Sequence, residues 1–151
     1  MGTHVGRSVG RAVRWLAATM KMTGRPLHFT TVDEWRTWLE ANHATQDEVW
    51  LMIYKRHAET PSVTLTETVE EALCFGWIDS QMQPIDGERH AQRFTPRRKT
   101  SNWSARNKER AAKLIEQGRM TEAGLAKIEE AKQNGRWDRT PRPNIEKASD
   151  T

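Results

Sequence analysis

The sequence predicts an α+β fold: a small antiparallel sheet, one strand plus an Asp-Gly hairpin, covered by helices, with a C-terminal helical hairpin. Three observations carry this expectation. The run Val49 to Tyr54 is apolar, rich in aromatic and β-branched residues, and bounded by Glu48 and Lys55, as a central strand buried on both faces would be. Asp86-Gly87 separates two segments of period two, the strongest short signal for a hairpin. Four further stretches open on Thr or Ser and continue with apolar residues at helical spacing, the pattern of capped amphipathic helices.

Taken in order, Thr31-Val-Asp-Glu34 forms a capping box ahead of Val32, Trp35, Trp38 and Leu39, so a helix over about residues 32–41 turns both indoles inward. The strand at 48–55 follows, then a polar loop, 56–61, whose His57 has no metal-ligand partner at suitable spacing. Thr64-Leu-Thr-Glu67 repeats the capping box. Val69, Ala72 and Leu73 mark one helical face, and Gly76 stands where a left-handed residue closes a helix. A two-residue type I′ turn at Asp86-Gly87 would then place Ile85 opposite Glu88, with Pro84 confined to an edge or bulge. Pro96 ends the second arm and Arg97-Arg98-Lys99 forms a basic bend. Either Ser101 or Ser104 caps a third helix ending at Gly118, and Thr121 opens a fourth with Leu125, Ile128 and Ala131 inward. Trp137 docks after it.

A chain of 151 residues suits one ordinary domain, placed at 26–137. The formal net charge is +4, but residues 1–21 carry Arg7, Arg11, Arg14 and Lys21 and no acid, so the body is balanced. The basic stretch 1–25 reads as a disordered extension, with Met20 or Met22 as the working initiator, because its apolar run is too short for a signal-peptide core. Residues 138–151 read as a disordered tail. No segment approaches a transmembrane length. The single Cys74 forms no internal disulfide and fits a reducing compartment, so the expected location is the cytoplasm.

Residues 72–107 are dense in special side chains, with two of the seven Trp, two of the three Phe, the only Cys and the basic bend. Charge also segregates: residues 30–72 hold nine acids against three bases, and residues 88–113 hold nine bases against two acids. The bend leads into a helix N-terminus, whose free amides and positive dipole suit an anion. Arg97, Arg98, Ser101, Ser104 and Asn107 supply donors there, and Trp103 a flat wall. The competing account is that Ser101 or Ser104 caps, Asn107 braces the loop and Trp103 is core. Trp77, Asp79, Lys55 and Arg93 extend the candidate surface, with Asp79 expected to pair with Lys55 or Arg93. No nucleophile elbow, Gly-rich phosphate loop, C-x-x-C or H-E-x-x-H is present.

The blocks E-V-W-L-x-x-Y-K, E-E-A-L-C-F-G-W-I-D-S, R-F-T-P-R-R-K-x-S-N-W-S-x-x-N, G-R-M-T-x-A-G and A-K-x-x-G-R-W, in that order between Phe29 and Trp137, resemble the bacterial YdeI/OmpD-associated, or bacteriocin-protection, family. The resemblance implies a small α+β protein linked to tolerance of bacteriocins and cationic antimicrobial peptides and associated with an outer-membrane porin, which makes the periplasm the alternative to the expected cytoplasmic location. It brings no catalytic residue and no cofactor. The expected function is therefore a non-enzymatic stress or peptide-protection protein acting by binding. Its working surface would be a groove between Trp77, Asp79, Arg93, Arg97 and the helix start at 101–107, with cationic peptides drawn to the acidic 30–72 half. Two alternatives stand beside it. One is a small-anion or nucleotide site, or an enzyme, at the basic bend. The other is a nucleic-acid module using Arg97, Arg98, Lys99, Arg106 and Arg110, which the balanced charge of the body counts against.

Overall fold

A computed structural model describes residues 25–138; the expected extension up to residue 24 and the tail from residue 139 lie outside the described residues. The element order is α1 (Val32–Asn42), β1 (Val49–Tyr54), α2 (Leu65–Cys74), β2 (Trp77–Pro84), β3 (Arg89–Pro96), α3 (Ala105–Glu116) and α4 (Glu122–Gln133). The α+β expectation holds: a three-stranded antiparallel sheet with helices, and a C-terminal helix pair. The chain forms two compact units. Of the described residues, the first contains those up to Ala72 together with Ile78–Pro96, and the second contains Leu73–Trp77 together with those from Arg97 to Asp138.

In the first unit the sheet order is β1-β3-β2. β1 and β3 pair antiparallel, with Val49 opposite Phe94, Leu51 opposite Gln92 and Ile53 opposite His90. Those six side chains therefore share one face. Trp35 of α1 covers it, its indole 5.3 Å from the Phe94 ring and its Nε1–H donating to the Thr68 carbonyl of α2 at 3.0 Å. The buried Glu71 carboxylate accepts from Arg36. β1 is buried almost throughout, as its composition requires, but β3 is the middle strand. The outer edge of β1 is closed by other means: the Leu27 N–H donates to the Trp50 carbonyl and accepts back through its own carbonyl from the Met52 N–H. The Tyr54 N–H donates to the Ser62 hydroxyl at 3.1 Å. An edge amide satisfied in this way is no longer a template for another strand.

Both capping boxes form, with one difference. Thr64 and Glu67 exchange hydrogen bonds reciprocally. Thr31 caps the Glu34 amide, but the Glu34 carboxylate reaches one residue further back, to the Thr30 N–H and hydroxyl. The Thr30 amide is the main cause that holds the Glu34 carboxyl below its usual range.

The hairpin differs from expectation. A type I′ turn needs positive φ at Gly87, and Gly87 is not among the glycines with positive φ. The connection is instead the four residues between Pro84 and Arg89. The Asp86 carboxylate accepts from the Glu88 and Arg89 amides and the Ile85 N–H donates to the Arg89 carbonyl. The side chain of Asp86 thus organises the loop as an Asx turn, and the expected Ile85–Glu88 pairing is replaced by Ile85–Arg89.

In the second unit, Gly76 takes φ +79 as anticipated, and the end of α2 is clasped by the start of α4. The Cys74 carbonyl accepts from the Thr121 N–H at 3.1 Å and from its hydroxyl at 2.6 Å. A Cβ on Gly124 would strike that same carbonyl. Gly118, φ +73, turns the chain between α3 and α4. On α4, Gly124, Ile128 and Ala131 face inward; Leu125, expected to join them, is 44% exposed. The inward face is one residue earlier because the close approach to Cys74 admits only a glycine.

Candidate functional site

The basic bend lies in the second unit and, the side chains of Arg98 and Lys99 apart, its polar groups are engaged locally. Arg97 is buried, its guanidinium 3.9 Å from the centre of the Trp103 ring and its Nη1 donating to the Asn102 carbonyl at 3.1 Å. Trp103 is itself buried and meets Trp137 at 5.0 Å, so Trp137 docks as expected. The Ser101 hydroxyl accepts from the Arg98 N–H. Ser104, of the two candidates, caps α3 by accepting from the Asn107 N–H at 3.1 Å. The Asn107 side-chain oxygen accepts from Arg110. Asn134 and Arg136 bind the Lys99 carbonyl and the Asn102 side chain. Arg98 and Lys99 extend into solvent. This arrangement braces the chain between β3 and α3. Trp77, also in this unit, is 2% exposed and is a core side chain.

The remaining candidates belong to the first unit. Arg93 donates to Glu48 at 2.6 Å and to the Ser80 hydroxyl at 3.3 Å; the pairing of Asp79 with Arg93 or Lys55 is not what forms among the described residues. Lys55 sits elsewhere, at the mouth of a cleft of about 520 Å³.

That cleft follows from how β1 ends. The ladder with β3 carries on to the Lys55 N–H, which donates to the Glu88 carbonyl at 2.7 Å. The chain then turns, with the Ala58 N–H on the Lys55 carbonyl, and comes back along the outer edge of β1. Ser62 pins the return by accepting from the Tyr54 N–H and donating to the Val63 carbonyl. His28 Nε2 binds the Pro61 carbonyl at 2.9 Å, and the Val63 N–H reaches the Phe29 carbonyl. Between this loop, the start of α2 and the Ile53–His90 pair lies the cleft. Ile53, Ala58, Pro61 and Leu65 supply apolar lining, and Lys55, Arg56, Glu59 and His90 supply charge and a ring nitrogen.

Polar commitments separate these side chains. Among the described residues Arg36, Arg89 and Arg93 of this unit are ion-paired, whereas the Lys55 ammonium, the Arg56 guanidinium and the Glu59 carboxylate make neither a hydrogen bond nor an ion pair. Leu65, 40% exposed, is a large apolar side chain facing the same opening. His90 Nε2 lies 3.2 Å from the Gln92 side-chain oxygen. Burial pushes its pKa below the usual histidine value, the Gln92 hydrogen bond opposes this, and Lys55 adds to the lowering.

Sequence reasoning found Lys55 and missed the other residues of the cleft. The stretch 56–61 reads as an ordinary polar loop, and His90 gains its place only through a register that no local pattern specifies. Among the described residues no three His, Cys, Asp or Glu side chains come together as a set that could hold a metal ion, and no helix is long and apolar enough to cross a membrane.

No curated protein and no solved structure matches the chain. Residues 27–127, which include both the cleft and the basic bend, match the model of a domain of unknown function, DUF8412. The chain belongs to the DUF8412 family.

Proposed function

We propose that this protein acts by binding a small molecule in the cleft at the end of β1, as a protection or stress protein of the kind its sequence resembles, and not as a catalyst. The observation that carries the reading is the cleft's make-up: about 520 Å³, an apolar wall from Ile53, Ala58, Pro61 and Leu65, and charged groups at its rim that no internal contact uses. Ligand sites are commonly concave spaces of ~300–1,000 Å³ with a mainly apolar wall and a few convergent polar groups. Ligand-detected NMR with a mixed set of neutral and charged fragments tests it, comparing the full chain with Ala58→Trp, which fills the cleft. Fragments that bind the wild-type chain and not the variant support the reading. Fragments that bind both equally, or none at all, contradict it.

Direct capture of a cationic peptide is a second reading, supported by the exposed Asp33 and Asp47, whose carboxylates are unpaired among the described residues. Exposed carboxylates attract cations most strongly when salt is low. A cationic antimicrobial peptide that fails to bind at low ionic strength removes it.

A further inference from the structure

We infer that the cleft takes an amphipathic organic monoanion, its negative head at Lys55 and Arg56 and its apolar body against Ile53, Ala58, Pro61 and Leu65. The inference rests on the reading of the cleft as the ligand site and adds the class of ligand. The unpartnered cations at the rim give the head group. A guanidinium presents a planar fork matched to a carboxylate or phosphate, and an ammonium supplies a point charge. Both sit at one opening, unlike Arg36, Arg89 and Arg93, whose charges are already met by Glu40 and Glu71, Asp86, and Glu48.

The count of charges sets the valence. Glu59 lines the same cleft, and His90 is neutral at pH 7, so the rim carries one net positive charge. A monoanion matches that balance, while a nucleotide polyphosphate would leave most of its charge unmet. On the wall, the Ser62 hydroxyl is already committed to Tyr54 and Val63, and an aliphatic or small-ring body meets Leu65 and Pro61. Burying apolar surface contributes ~25 cal/mol per Å², so the body supplies affinity and the head supplies selectivity.

Titration calorimetry of the full chain with hexanoate, hexan-1-ol and inorganic phosphate, at low and physiological salt, separates these parts. Hexanoate is expected to bind one to one, about tenfold tighter than either of the other probes, and to weaken as salt rises because the cations are exposed. The double variant Lys55→Gln/Arg56→Gln is expected to lose about that tenfold preference while binding hexan-1-ol as the wild type does. Hexan-1-ol binding as tightly as hexanoate overturns the charged head and leaves the cleft as a ligand site. Phosphate binding as tightly as hexanoate overturns the apolar body. Absence of binding by all three overturns this inference and, if the fragment set also fails, the site itself. A double variant that melts with the wild type yet keeps the hexanoate preference places the anion elsewhere.

Discussion

The bend at residues 97–107 and the loop at residues 55–65 both follow a strand and lead to a helix, and both carry adjacent cations, yet they differ in what their polar groups do. In the bend, Arg97 is buried against Trp103, both serines and Asn107 accept backbone or side-chain donors, and Asn134 and Arg136 close the far side. In the loop, Ser62 and Pro61 fix the backbone, and Lys55, Arg56 and Glu59 remain uncommitted among the described residues. A high density of Trp, Arg and Ser therefore marks a place where the chain needs bracing as readily as a place where it meets a ligand. Arg98 and Lys99 also carry uncommitted side chains, so what separates the two regions is that the uncommitted cations of the loop stand at a cleft, whereas those of the bend extend into solvent.

Substitutions can break this contrast from either side. Trp103→Ala removes a buried indole and the ring beneath a buried guanidinium, and should cost about 3–5 kcal/mol of unfolding free energy, read by denaturant titration. Gly124→Ala forces a Cβ into the Cys74 carbonyl; it is expected to destabilise by about 1–3 kcal/mol or more, and a neutral result would show that the clasp between Thr121 and Cys74 is loose. Ser104→Ala removes the cap of α3 and should cost about 1 kcal/mol. Lys55→Ala and Arg56→Ala should leave thermal unfolding within about 0.5 kcal/mol of wild type, since their charged ends touch no acid.

The smallest effect is in pH. His90 has a lowered pKa in the folded chain, with burial as the main cause. Above the unfolded histidine value both states are neutral and the residue contributes no pH dependence. As pH falls below ~6.5 the unfolded chain binds the proton first, so stability drops until the folded ring also protonates. His90→Gln should flatten that part of the stability profile, measured by denaturant titration between pH 7 and pH 5.

Much of the fold was legible because it is written in local chemistry. Thr31, Thr64, Ser104 and Thr121 cap their helices, Gly76 and Gly118 take left-handed backbone, and Val49 to Tyr54 is apolar enough to be buried on both faces. Legibility failed where a side chain from elsewhere decided the outcome. Asp86 converts the expected tight turn into a longer loop by accepting two amides. The carbonyl of Cys74, about 50 residues upstream in sequence, selects glycine at 124 and so turns Leu125 outward. The cleft depends on Ser62 meeting Tyr54 and on Ile53 meeting His90. Neither contact leaves a periodic trace, which is why Lys55 alone of the rim could be named from the sequence.

An amide-shift map of the isotope-labelled full chain, titrated with hexanoate, reads both regions in one experiment. Saturable shifts confined to residues 53–65 and His90, with Arg97 to Asn107 unmoved, are the expected result. Shifts centred on Arg98 to Asn107 would contradict the account, returning the ligand to the bend and making the loop the structural element.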